Sequence, residues 1–116
     1  PPREPKTPQV VELLRKAHAW RQELDAGTVV NQAEIARREG VTRARVTQIM
    51  MLLRLAPDIQ ERVLALPATS ERPILSERML RPITFLDDAS SQRDAVTSLL
   101  GASDGMNAVH PDPSID

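Results

Sequence analysis

Apolar residues near the start of the chain recur at alternating steps of three and four. Val10, Leu13, Ala17, Trp20 and Leu24 fall on one stripe, which predicts an amphipathic helix. Thr7 offers that helix a cap, Pro8 a first helical position and Gly27 a stop. Asn31 opens a second helix, with Glu34 three residues on in a capping-box arrangement. Ile35 and Ala36 face inward, and Gly40 ends the helix after about two turns. Thr42 caps a third, with Val46, Ile49, Met50 and Leu53 inward. Pro57 opens a fourth, with Ile59, Val63 and Leu66 on one face and Pro67 closing it.

The pattern weakens further on. "ATSERPI" reads as a polar connector. Ser76 starts a fifth helix, where Leu75 and Leu80 stand at the positions of a hydrophobic staple, and Pro82 interrupts it. Ser91 and Asp94 suggest another capped start, carrying Val96, Leu99 and Leu100 up to Gly101. No stretch alternates with the period of a strand. The expected fold is all-α: a small helical domain of five to six helices at residues 8–100, with a disordered proline-rich arm at 1–7 and a disordered tail at 101–116. The abrupt "PPREP" start invites the reading that the chain is a fragment.

Composition narrows the chemistry. Apolar residues make up 41 % of the chain, but Trp20 and Phe85 are the only aromatics, and both are expected in the core. The absence of cysteine excludes disulfides and thiolate metal sites. No apolar run is long enough to span a bilayer, so a cytoplasmic protein is expected, nucleoid-associated when bound to DNA. The net charge of −1 says little, but its distribution says more. Residues 1–66 hold 11 Lys+Arg against 8 Asp+Glu, and residues 67–116 hold 4 against 8. A basic working half and an acidic remainder fit that asymmetry.

The basic half centres on "NQAEIARREGVTRARVTQIM", residues 31–50. Gly40 permits the positive φ of a tight turn, and Ala36 is small enough for two helices to approach. With Val41, Val46 and Ile49 following, the spacing packs two short helices at a steep angle against a third, as in a helix-turn-helix. Thr42, Arg43, Ala44, Arg45, Thr47 and Gln48 are then left on the outer face of the second helix. Arg43, Ala44, Thr47 and Gln48 are the candidate base contacts: Arg can bridge guanine, Gln can pair with adenine, and Ala or a Thr methyl can touch a thymine methyl. Gln32, Thr42, Arg45, Arg54, Arg37 and Arg38 are the candidate phosphate contacts. From Asn31 to Arg54 five arginines face two glutamates. The competing reading is an ordinary helical pair whose arginines merely solvate a face.

"NQAEIARREGVTRARVTQIMMLLRLAPDIQERVLAL" resembles the helix-turn-helix module of the ParB/KorB family of plasmid partition and repressor proteins. The resemblance rests on Glu34-Ile35-Ala36, the Gly40 turn, Thr42-Arg43, Val46, and Leu52-Leu53-Arg54-Leu55 leading into Pro57 and Ile59. "LSERMLRPITFLDDASSQRDAVTSLL" is similar to that family's next two helices, through Leu75-Ser76, Arg81 and Leu86-Asp87-Asp88. The likeness spans about residues 31–100. "RKAHAWRQELDAG" together with the module also resembles the carboxy-terminal tail of large serine recombinases. No counterpart of the ParB nucleotide-binding domain, a ParB dimerisation domain or a resolvase catalytic domain is recognisable within these 116 residues.

The resemblance implies sequence-specific binding of double-stranded DNA by a small bacterial or mobile-element transcriptional regulator, or by an accessory of recombination or partition. The alternatives are a non-catalytic protein–protein adaptor and the DNA-binding tail of a serine recombinase. No enzyme activity, catalytic residue, metal or cofactor is expected. His18 and His110 are far apart, Asp87-Asp88 reads as a capping turn, and Ser90-Ser91 reads as a cap without a nearby base. The expected partners are duplex DNA and a second copy joined through Met79, Ile83, Phe85, Val96, Leu99 and Leu100. A recombinase or another protein in place of that copy is the alternative, and no membrane contact is expected.

Overall fold

The computed structural model describes residues 4–108. Six α-helices and two 3₁₀ turns follow in order: α1 (Gln9–Ala26), α2 (Gln32–Glu39), α3 (Arg43–Met50), a turn at Met51–Arg54, α4 (Pro57–Leu64), α5 (Glu77–Leu80), a turn at Arg81–Phe85, and α6 (Ala89–Ala108). The fold is all-α, and no extended strand occurs among the described residues.

α1 is the centre of the packing. Its buried set is wider than one stripe, because Val11 and Leu14 are inside as well as Val10, Leu13, Ala17 and Trp20. That breadth lets one helix meet α3 and α4 together. α1 and α2 end in the same way. Gly27 and Gly40 take φ of 77° and 72°, and an N–H two residues past each helix returns to a carbonyl inside it: Thr28 to Glu23 at 2.9 Å, Val41 to Ala36 at 3.1 Å. The α2 start is also capped as its sequence implies. The Glu34 N–H donates to Asn31 Oδ1 at 3.0 Å, while the Glu34 carboxylate accepts from the Val30 N–H at 2.7 Å. The other starts differ in detail. Pro8, not Thr7, precedes the first turn of α1, without a side-chain cap. Ser76 caps α5, with Leu75 and Leu80 both fully buried as the staple requires.

Several expectations are corrected. Phe85 is 66 % exposed rather than core. Three residues per turn place Ile83 behind Leu80 on the inner side of the Arg81–Phe85 turn and Phe85 behind Pro82 on the outer side. Val41 is exposed, because the three-residue connection keeps only its backbone at the helix end. The cap of α6 is Asp88, not Ser91: its carboxylate accepts from the Ser91 N–H at 2.9 Å and the Ser91 hydroxyl at 2.8 Å. These bonds, the backbone one first, hold the Asp88 carboxyl below its usual range.

Gly101 does not stop α6, which continues to Ala108, since glycine inside a helix costs stability without compelling a break. The first part of the expected tail is therefore helical, and its remainder lies outside the described residues. Within the expected arm, residues 1–3 are also outside them. Lys6 exchanges two backbone hydrogen bonds with Thr69, each 2.9 Å, because the connector after α4 offers an unpaired extended edge.

The polar interior is what sequence patterning missed. Gln92 is 3 % exposed and uses its whole amide: Oε1 accepts from the Ala56 N–H at 2.7 Å, and Nε2 donates to the Arg54 and Leu86 carbonyls at 3.0 Å each. It joins α6 to both 3₁₀ turns and to the start of α4. Thr84 is buried with its hydroxyl on the Arg81 carbonyl at 2.6 Å. Gln60 of α4 donates to the Leu53 and Leu55 carbonyls and meets His18 of α1 at 2.7 Å. Of the six residues assigned to a dimer contact, Ile83 and Val96 lie in this core, Met79, Leu99 and Leu100 are half-buried, and Phe85 is exposed.

Candidate nucleic-acid interface

α3 has one face the core must cover and one it cannot reach. Val46, Ile49 and Met50 are buried against α1 and α2, which leaves Thr42, Arg43, Ala44, Thr47 and Gln48 exposed on the opposite side. The four candidate base contacts, Arg43, Ala44, Thr47 and Gln48, therefore share one surface. Thr42 is the helix cap: its hydroxyl oxygen accepts from the Arg45 N–H at 3.0 Å, which leaves the neighbouring N–H groups of the first turn facing outward. A cleft of about 570 Å³ runs alongside, lined by Leu24, Asn31, Gln32, Ala33, Arg43 and Thr47. Gln32 spans α2 and α3 there, accepting from the Thr47 hydroxyl at 2.6 Å.

The arginines separate into two kinds. Arg43 and Arg37 are exposed and make no ion pair among the described residues. The other three arginines of residues 31–54, Arg38, Arg45 and Arg54, are engaged within the fold. Arg38 holds both Glu23 oxygens at 2.9 Å and reaches Glu39 at 3.3 Å. The hydrogen bond to Glu23 pushes its pKa further up and draws that of Glu23 down. Arg54 donates to the Thr84 carbonyl at 2.8 Å and lies 3.6 Å from Asp87, with about half of its side chain still exposed (53 %).

Arg45 is the most committed. Its two terminal nitrogens grip Glu77 at 2.6 and 2.9 Å, and one of them also donates to Gln48 Oε1 at 3.3 Å. Arg81 adds a third bond to Glu77, whose side chain is 13 % exposed. Burial alone raises the Glu77 carboxyl, but the hydrogen bonds and charges of Arg45 and then Arg81 outweigh it and hold the group below its ordinary value. On Arg45 the bond to Glu77 raises the pKa against the cost of burial.

Glu23 and Glu77 were invisible as partners because they lie 15 and 32 residues from the arginines they meet. Only a charge four residues away on the same helix leaves a local signal. The basic excess of residues 31–54 is thus partly neutralised from outside that stretch. What remains at its tip is Arg43 beside the neutral hydrogen-bonding groups of Thr47, Gln48 and Gln32. His18, meeting Gln60, belongs to the packing of α1 on α4. Among the described residues no three His, Cys, Asp or Glu side chains gather where they could hold a metal ion. No described helix is long and apolar enough to cross a membrane. No family model, curated protein or solved structure matches the chain.

Proposed function

We propose that the chain is a sequence-specific double-stranded DNA-binding protein in which α2 and α3 act as a helix-turn-helix, with α3 as the reading helix. The observation that carries this reading is the outer face of α3. Its inner face is fully used in the core, and its outer face presents Arg43, without an acid partner among the described residues, with Ala44, Thr47 and Gln48. Eight residues make a helix of about 12 Å, a length suited to a major groove about 12 Å wide. Arg37 and the first-turn N–H groups of α3 are placed for phosphates, and Arg54 keeps enough exposure to join them. The cellular role this suits is that of a small bacterial or mobile-element regulator, or an accessory of recombination or partition.

Titrating salt against duplex affinity tests the reading. Each phosphate contact contributes about −0.9 to the slope of log K against log salt. Three or more contacts are expected, hence a slope steeper than roughly −2.5. A flat response sinks the proposal and favours the protein–protein adaptor. Arg43→Ala should cost about 1–3 kcal/mol on the selected site and relax preference at one base pair. An equal loss on all sequences would make Arg43 a phosphate contact. A second copy on DNA is part of the proposal. The exposed Phe85 and Leu86 are available for it, as are the half-buried Met79, Leu99 and Leu100. Light scattering should then find two chains per duplex, and one chain on an asymmetric site would remove the dimer.

A further inference from the structure

Gln48 stands at the end of a series of polar contacts that begins behind the reading helix. Glu77 of α5 receives two hydrogen bonds from Arg45 and one from Arg81. Held in this way, the Arg45 guanidinium reaches one turn along α3 and donates to Gln48 Oε1 at 3.3 Å. Chemistry dictates the sense of this contact. A guanidinium has five N–H donors and no acceptor, so only the oxygen end of an amide can face it. The Gln48 NH₂ group is left without a partner among the described residues.

A glutamine that turns freely reads adenine with both ends of its amide, donating to N7 and accepting from N6. That pairing needs the oxygen. With one of its two lone pairs on the Arg45 cation, the oxygen is a weaker acceptor and the NH₂ group a stronger donor, so the amide is biased toward donation. Resting on the reading of α3 as the DNA-contacting helix, we infer that Gln48 is a donor-biased reader set by Arg45 and Glu77. The base edge it selects is one rich in acceptors, guanine with its adjacent N7 and O6, in place of adenine. Arg45 and Glu77 are positioning residues in this scheme. They touch no base, and they act by fixing which end of one amide is presented.

Selection of the full chain on a random duplex library tests this directly. The relevant base pair is the one whose preference relaxes in Gln48→Ala. The wild-type chain should enrich guanine there. Arg45→Met frees the amide and should move the preference toward adenine by about fivefold to tenfold. Glu77→Gln keeps the shape of the partner but removes its charge, and should move it the same way by less. Adenine enriched by the wild type overturns the inference while DNA binding stands, as does a wild-type preference that neither variant changes. The absence of any enriched motif also overturns it, and the absence of salt-dependent binding overturns the DNA-binding reading as well. The free chain gives a readout that needs no DNA. By NMR relaxation the Gln48 side-chain amide should be more ordered in the wild type than in Arg45→Met, and equal mobility overturns the clamp.

Discussion

α1–α3 and the stretch from Ser76 to Val96 bury the same kinds of apolar side chain but connect them differently. In α1–α3 the polar bonds that shape the chain are mostly local. Asn31, Glu34 and Thr42 each bond within four residues, and Gly27 and Gly40 end their helices by backbone returns of five residues. In the later stretch the bonds that place the elements span 30 to 38 residues: Arg54 to Thr84, Arg45 to Glu77, Arg93 to Asp58, and Gln92 to Ala56 and Arg54. The first region is ordered by periodicity and caps, which any short window of sequence contains. The second is ordered by a few polar side chains reaching the backbone and side chains of other elements.

The largest effect should come from the apolar side. Leu14 is fully buried at the centre of α1, and Leu14→Ala should lower unfolding free energy by about 2–5 kcal/mol in chemical denaturation. Gln92→Met sharpens the contrast, because it keeps the volume and removes the amide. It leaves the Ala56 N–H and the Arg54 and Leu86 carbonyls without their partner, and should cost roughly 2–4 kcal/mol by the same measurement. A cost below about 1 kcal/mol would mean that the later region is held by apolar packing too, and the comparison would fail.

Legibility followed the same division. The stripe of α1, the Asn31 cap, the Gly40 turn and the Thr42 cap follow from local rules, and each lies where those rules place it. The outer face of α3 followed as well, because burying Val46 and Ile49 leaves little freedom for Arg43, Ala44, Thr47 and Gln48. What could not be read was which arginines remain free. Arg43 and Arg45 look equivalent in sequence. They differ because Glu77, 32 residues after Arg45, is packed behind one and not the other. Gln92 was equally hidden, since a glutamine in a polar helix ordinarily marks an exposed position. Phe85 was misplaced because its exposure depends on a 3₁₀ turn and not on the apolar character of the residue.

Smaller effects probe the connection between the regions. A Cβ at Gly40 would meet nothing within 4 Å, so a substitution there costs backbone strain alone. Gly40→Val should destabilise by about 1–2 kcal/mol, and Gly40→Asn by less, because asparagine tolerates a positive φ. An unchanged melting temperature in Gly40→Val would show that the turn can be rebuilt without positive φ. The smallest effect concerns acid. The folded-state pKa of Glu77 lies below its ordinary value of 4.5. Its contribution is therefore complete above that value and lost as pH falls from there through the folded pKa. Glu77→Gln should be less stable than the wild type near neutrality, and the gap should narrow below about pH 4.5. A gap independent of pH would assign the effect to shape and not to the ion pair with Arg45.

The three bonds of Gln92 also bear on the order in which the chain folds. Its contact with Ala56 closes a span of 36 residues, whereas the caps of α2 and α3 close spans of three. The longer closure is entropically costlier and gains nothing until both ends are in place. Gln92 should therefore lock after the rate-limiting step. The expected kinetic signature of Gln92→Met is an unfolding rate that rises while the folding rate hardly moves, a φ-value near zero. Thr42→Ala should instead slow folding, as the loss of a cap that forms with its own helix. The late lock gives the second region a role in time as well as in space, holding closed a helix arrangement that the first region assembles.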